Sequence, residues 1–408
     1  MVENKSDIDI DRLSGESIFA LNENIKKHLQ ESEGFQVMDD LSGQLFPSVV
    51  GALNNCLCKP LKKHPRYQNI ELVWTGSTAE GVNIPNFDRD GSRAPELELE
   101  MDLLCVLRDF EVGRTFNSPA ILMQQTDTAD GYFVVFVQSP DYRQQWGNFC
   151  IIPSDPKRKQ EMYLNPLLMI EDLFHQIEHI FKQIPLLAGS FHLEFNPPAV
   201  TLTLSHSGIN QKKVFIRCDI VIALALGASC LPKSYPSWIQ VHGRPKLLSG
   251  ESFLKIQEEE LYLVGKCSPG GQAKVEWRLS FSKLELVLFK EIAARFPAAI
   301  SCYRYFKLVR YWHLRHPNFL HSYHLKMIFL RACHTFPPVA WTEDNFAANL
   351  LGLLDILLHC MATKSLPSYF LPTCNLLEQV HQDFIYTLIQ KLSQIRREPM
   401  KHLIDLQR

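Results

Sequence analysis

Three acids alternate with apolar residues in Glu98-Leu-Glu100-Met-Asp102-Leu-Leu. On a strand, alternate side chains share a face, so the three carboxylates point one way, and two residues span about 6.6–6.8 Å. Glu100 and Asp102 at that spacing can jointly clasp cations, and two-metal phosphoryl-transfer sites hold ions about 3.5–4 Å apart. A further acid, Asp219, stands inside Val214-Phe-Ile-Arg-Cys-Asp-Ile-Val-Ile-Ala. Burying a carboxylate in such an apolar strand is costly unless it is paired or metal-bound. Gly76-Ser77 follows a strand pattern at residues 70–74. Glycine lets backbone N–H groups approach a phosphate closely, and the serine hydroxyl adds a donor. Each feature also has a plain structural reading. Alternating acids describe the wet side of an amphipathic strand, Glu98 reads as solvent-facing, and a Gly-Ser pair is commonly just a turn.

The elements that must position these groups can be read from periodicity. Ile18, Leu21, Ile25 and Leu29 recur at helical intervals behind Ser14. Strand patterns cover residues 70–74, 97–107, 132–138, 149–152, 199–204 and 213–223, with a helix over 166–184 and a polar loop over 82–95. Beyond Ser282 the chain reads as helices at 283–295, 301–316, 323–334, 345–363 and 376–397. The fold class is therefore α+β, with residues 1–230 forming an N-terminal helix and a mixed-sheet core lobe. Residues 231–408 form a mainly helical lobe that closes a cleft.

Composition excludes several classes. The 408 residues carry 42 Lys+Arg against 44 Asp+Glu, a formal net charge of −2, which rules out a uniformly basic nucleic-acid-coating protein but not a local basic face. The longest apolar runs, around residues 214–230 and 350–362, are interrupted by Asp219 and Asp355 and fall short of the ~20 residues of a membrane span. The acidic, polar N-terminus is unlike a secretory signal. A cytoplasmic protein with reduced thiols is the expectation for its 11 cysteines. Cys56-x-Cys58 with His64 lacks the second pair that a zinc site needs, so no structural zinc is expected.

The order of strand, Gly-Ser, acidic strand and a third acid on a later strand matches a nucleotidyltransferase site of the polymerase-β type. With the surrounding words Gly76-Ser77-Thr-Ala-Glu80, Glu100-Met-Asp102 and Cys218-Asp219-Ile-Val, the chain resembles the male-abnormal-21 superfamily, which includes cyclic GMP–AMP-synthase-like receptors. The likeness continues through Tyr262-Leu-Val-Gly-Lys266, Trp277-Arg-Leu-Ser-Phe-Ser282, Phe306-Lys307-Leu-Val-Arg310, Ser322-Tyr323-His324-Leu-Lys326 and Tyr369-Phe-Leu-Pro372, in order, from about residue 70 to 380. The resemblance implies a twisted mixed sheet with helices plus a C-terminal helical bundle lobe. It implies that Gly76 and Ser77 hold a triphosphate, and that Glu100, Asp102 and Asp219 are catalytic and bind two Mg²⁺ or Mn²⁺ ions. It implies nucleotide contacts from Lys266, Arg278, Ser280, Ser282, Lys307 and Ser322, and base stacking on Tyr323.

By the same resemblance, ATP and GTP or other NTPs are the substrates and a cyclic dinucleotide is the product, signalling to a STING-type receptor in innate immunity. Residues 86–95 read as an insertion in the loop that activation orders. Between Ser282 and Lys307 only Cys302 is present, with none of the zinc-binding residues that the related DNA sensor uses to grip a duplex. Double-stranded RNA is accordingly the expected activator ahead of double-stranded DNA. Lys26, Lys27, Lys59, Lys62, Lys63 and Arg66 could follow the phosphates of such a duplex. A second basic zone comprises Arg304, Arg310, Arg315 and Lys326 with four intervening histidines. The alternative is a catalytically silent nucleotide-binding or scaffold protein with a developmental role.

Overall fold

The computed structural model describes residues 15–31, 33–84, 97–113, 121–125, 130–152, 161–184, 191–207, 213–226, 248–268 and 270–404, and among these described residues eleven strands stand beside the helices. The expected insertion at 86–95 lies outside these residues. The strands are β1 (Ile70–Thr75), β2 (Leu97–Gly113), β3 (Ile121–Gln125), β4 (Tyr132–Val137), β5 (Cys150–Ile151), β6 (Tyr163–Leu164), β7 (Phe191–Asn196), β8 (Ala199–Ser207), β9 (Lys213–Leu226), β10 (Leu261–Val264) and β11 (Glu276–Ser280).

β2 is the spine of the sheet. Along one edge it pairs antiparallel with β1 and then parallel with β3, and β9 runs parallel to it from Leu97 to Leu107. The sequence shows why. Up to Asp102 apolar residues alternate with acids: Leu99 and Met101 are buried, while Glu100 faces solvent and Asp102 opens onto the cavity described below. From Leu103 to Leu107 every residue is buried, as expected where neighbours cover both edges and both faces. Pairings from β2 through β3, β4, β11, β10 and β9 return to β2, so the sheet curls into a ring. The hairpin β7–β8 extends it beyond β9. β10 and β11 lie past residue 230, so the division expected there falls inside this one sheet. Neither had a strand pattern strong enough to stand out: each is short and lies between turns.

The helical lobe comprises Ser282–Arg295, Pro297–His313, Ser322–Thr335, Phe346–Ala362, Gln382–Arg397 and Pro399–Ile404. The N-terminal helix Gly15–Glu31 packs on this lobe, against Phe346–Ala362 and Pro399–Ile404, rather than on the sheet. Asn22 makes that docking specific. Its buried amide oxygen accepts from Ala347 N at 2.8 Å and its Nδ2 donates to Glu343 O at 3.1 Å, satisfying a backbone N–H that the helix start leaves open. Glu343–Ala362 is long and apolar enough to cross a membrane, yet 61% of its apolar window is buried inside the protein. Asp355, which interrupts that run, pairs with Arg396 of the Gln382–Arg397 helix at 2.7 Å. The last long helix begins at Gln382 rather than 376, where the His381 side chain accepts from Asp383 N.

One hydrophobic core runs through both lobes, from Leu21 and Leu53 to Leu403. In the helical lobe Phe329 stacks on Tyr303 with centroids 4.6 Å apart and lies 5.6 Å from Phe289 and 5.9 Å from Trp341. Phe329→Ala should therefore destabilise the protein by about 3–5 kcal/mol, read from the denaturation midpoint. A loss under about 1 kcal/mol would show that this aromatic cluster is not rigidly packed.

Candidate functional site

The site forms where β1 ends, beside the β2–β9 pairing. Register places Asp102 opposite Asp219 on adjacent parallel strands and opposite Thr75 on β1. Glu100 stands opposite Arg217. The sequence suggested a buried Asp219, but alternate residues Phe215, Arg217, Asp219 and Val221 are only half-buried, and the Asp219 side chain is 38% exposed. Ile216, Cys218 and Ile220 take the core side of the strand. Its carboxylate is held in place by Thr201 on β8, whose hydroxyl donates to Oδ1 at 2.6 Å, with Arg217 Nε 3.9 Å away.

Gly76 begins a short helical turn, Gly76–Ala79, with φ +76°. A Cβ on it would lie 1.7 Å from Asp102 Oδ2, so the turn can sit against the carboxylate only because the residue has no side chain. Threonine hydroxyls fix the turn to β2. Thr75 donates to Asp102 O at 3.5 Å and Thr78 donates to Glu100 O. Asn83 Nδ2 in turn donates to the Thr78 hydroxyl at 2.8 Å.

Beside this turn opens a cavity of about 310 Å³. Of the residues expected from sequence, Gly76, Asp102, Lys266 and Arg278 line it, as do Ser280, Ser282 and Tyr323. Ser280 and Ser282 share a hydrogen bond of 2.9 Å across the entry to the Ser282–Arg295 helix. Tyr323 is half-buried, and its burial pushes the phenol pKa up. Glu100 and Asp219 flank Asp102 without lining the cavity, and Ser322 is exposed at the start of the Ser322–Thr335 helix.

Lys307 stands behind the Gly-Ser turn rather than in the cavity. Its Nζ donates to Val82 O at 2.8 Å and to Ser77 Oγ at 3.2 Å, and burial lowers its pKa to about 8. Three residues earlier on the same helix, Arg304 donates to Asn83 O at 2.8 Å and pairs with Asp39 at 3.0 Å. Lys326 is buried between Glu80 and Glu285, 2.7 Å from each, which holds it charged. Burial and the second carboxylate push Glu80 up.

Much of the second basic zone is therefore turned inward. Arg304 and Lys326 are internal, and Arg310 donates to Leu320 O within 2.5 Å. The triad Glu80–Lys326–Glu285 escaped the sequence reading because its members are far apart in the chain. Only the acid inside Gly76-Ser-Thr-Ala-Glu80 hinted at it.

Of the six cations expected to meet nucleic acid, Lys26 and Arg66 are committed elsewhere. Lys26 pairs with Glu23 and Asp344 at 3.1 and 3.0 Å. Arg66 pairs with Asp172 at 2.7 Å and lies 4.9 Å over the Phe149 ring. Lys27, Lys59, Lys62 and Lys63 are exposed.

Two family models match the chain: the Mab-21 protein nucleotidyltransferase domain over residues 114–291, and the Mab-21 protein HhH/H2TH-like domain over residues 298–394. The chain belongs to the Mab-21 family. It carries the family's nucleotidyltransferase domain, a class that works on nucleotides with divalent cations. The matched stretch of this Mab-21 protein starts after Gly76, Ser77, Glu100 and Asp102. Pairing of β2 with β9 is what joins those residues to Asp219 inside it. The boundary between the two matches, 291 to 298, falls at the end of the first helix after the sheet, Ser282–Arg295.

Whether the acids suit a metal can be judged from their chemistry. Carboxylate oxygens are the ligands that hard divalent cations prefer. Burial, then Asp219 and Glu100, raise the Asp102 pKa from 3.8 to about 7, the mark of negative charges awaiting a counter-ion. Among the described residues no three His, Cys, Asp or Glu side chains are already gathered as a metal-ligating group, and Asp219 is engaged by Thr201. The residues fit in kind, and Asp219 would have to leave or share its threonine contact.

A carboxyl whose folded pKa is raised contributes stability fully below pH 3.8 and loses it as pH rises through about 7. Without divalent ions, the melting temperature should thus fall across that window, and Asp102→Asn should remove that part of the slope. Solvent reaching Asp102 from the cavity moderates the effect. An identical slope in the variant would show that Asp102 is not the group responsible. Gly76→Ala should leave the fold intact but lower nucleotide turnover by at least about 100-fold, because the methyl displaces Asp102. Near-normal turnover would mean that the turn can give way freely.

Proposed function

We propose that this Mab-21 protein is a metal-dependent nucleotidyltransferase that makes a cyclic dinucleotide, cyclic GMP–AMP-like, from ATP and GTP or other NTPs on sensing nucleic acid. The observation that carries this reading is the in-register pair Asp102–Asp219 with Gly76 packed against it, at the mouth of a cavity lined by Arg278, Lys266 and Tyr323.

In this reading Glu100, Asp102 and Asp219 hold two Mg²⁺ or Mn²⁺ ions, which supply the positive charge that polarises an NTP α-phosphate. Ser77 and the backbone of the Gly76–Ala79 turn receive the triphosphate, and Lys307 keeps Ser77 in place from behind. Tyr323 offers a face for a nucleobase, a stacking contact of about 1–3 kcal/mol. Arg278, Lys266, Ser280 and Ser282 orient the nucleotide, and Ser322 contacts it from the rim.

Double-stranded RNA is the proposed activator. Lys59, Lys62 and Lys63 project from one turn near β1, and Lys27 adds to the exposed charge. Such contacts to phosphates would weaken steeply with salt. The protein would act in the cytoplasm, its product reaching a STING-type receptor in innate immune defence.

A second reading, nucleotide binding without turnover in a scaffold role, is favoured by one observation: the Thr201 hydroxyl occupies Asp219 Oδ1 at 2.6 Å. One assay decides between them. Purified protein is incubated with radiolabelled NTPs and Mn²⁺ or Mg²⁺, with double-stranded RNA, double-stranded DNA or neither, and products are identified by mass. A cyclic dinucleotide formed with RNA is expected, and Asp102→Asn and Asp219→Asn should each abolish it without unfolding the protein. NTP binding with no pyrophosphate release under any activator would establish the silent reading, and a linear product would overturn cyclisation.

A further inference from the structure

The cavity has a cationic side as well as an acidic one. Lys266 follows β10 and Arg278 lies in β11, where the register sets Val264 opposite Arg278, so both cations stand on the same wall. Neither makes an ion pair among the described residues, and Arg278 is the foremost influence lowering the Lys266 pKa. Two like charges held side by side are a demand for an anion.

A carboxylate that could have answered it lies close by. Glu276 precedes Arg278 by two residues in β11 and so shares its strand face. It is spent elsewhere. With 2% exposure, its Oε2 accepts from Ser268 N and Ser268 Oγ, both at 2.7 Å, and its Oε1 accepts from Gln272 N at 3.0 Å. The loop is moulded on that carboxylate. A Cβ on Gly271 would lie 2.2 Å from Oε2, 2.4 Å from Oε1 and 2.2 Å from Ser268 Oγ. Backbone bonds from Gly271 N to Ser268 O at 2.9 Å and from Glu276 N to Gln272 O at 3.0 Å close it further. A buried carboxylate held by N–H and O–H donors is stiff and poorly replaced.

We propose that Glu276 is a positioning residue which, by folding the β10–β11 loop around its carboxylate, presets Lys266 beside Arg278 as a clamp for a phosphate group of the bound nucleotide. Diverting Glu276 to the loop does two things at once. It orders the backbone that carries Lys266, and it leaves both cations un-neutralised for the ligand. The proposal rests on the nucleotide-binding reading of the cavity, and not on cyclisation or on an activator.

Its test is calorimetric binding of ATP and GTP to the full chain, which needs no turnover. Glu276→Gln keeps the shape but turns an amide N–H₂ toward N–H donors, and should weaken ATP binding by about tenfold. Lys266→Met should weaken it to a similar degree. The deciding measurement is the double variant, in which Glu276→Gln should cost nothing more once Lys266 is gone. Equal losses in both backgrounds would mean that Glu276 only stabilises the fold, and would overturn the proposal. So would unchanged affinity in Glu276→Gln. If that variant does not fold, Ser268→Ala removes a single donor and takes its place in the same cycle, with a loss of about threefold expected. Failure of the wild-type chain to bind either NTP would overturn the nucleotide reading itself, and this proposal with it.

Discussion

The parallel pairing of β2 with β9 is the constraint on which the site depends. It brings together two segments more than a hundred residues apart in the chain and sets Asp102 against Asp219 in register. A slip of one residue in either strand would turn that strand's acids toward the core, where Leu99, Met101, Cys218 and Ile220 now lie. Register is thus enforced by the hydrophobic faces, and the carboxylates are brought side by side as a consequence. Desolvation and then their mutual repulsion are the cost of that placement, visible in the raised pKa of Asp102.

A second layer of order comes from buried cations of the helical lobe. Arg304 and Lys307 project from one helix onto the carbonyls of Asn83 and Val82, just after the Gly-Ser turn. Lys326 reaches the same neighbourhood through Glu80. Each ammonium or guanidinium is largely out of water and so depends on its partners, which makes its geometry unforgiving. The sheet lobe supplies the acids, and the helical lobe sets the position of the turn that lies against them. The two lobes are coupled through these contacts and through one continuous core.

Long helices and the acid-bearing strands were legible in the sequence because their periodicities persist over many residues, as in residues 213–223 of β9 or the apolar run of the Phe346–Ala362 helix. β3, β7, β10 and β11 were not, since four to six residues between turns give little periodicity to detect. The N-terminal helix was recognised but its partner was not: Asn22 bonding to Ala347 is a relation between positions 325 apart. Likewise the charges near residues 304–326 read as a second basic zone. Nothing in their spacing tells that Glu80, Glu285 and Asp39 come from elsewhere to meet them.

By itself, the sequence determined the chemistry available: Gly76-Ser77, the alternating Glu100 and Asp102, Asp219 in its strand, and the family words that carry Lys266, Arg278 and Tyr323. These are local facts, set by residue type and by a period of two along a strand. Only the tertiary structure decided which of them work together and which cations remain free for a ligand. Lys307 turned inward to Ser77, Lys326 was matched by two carboxylates, and Glu276 was drawn into a loop, leaving Lys266 and Arg278 facing the cavity. The reason is physical. Pairing and desolvation depend on neighbours in space, and in this chain those neighbours come from both lobes.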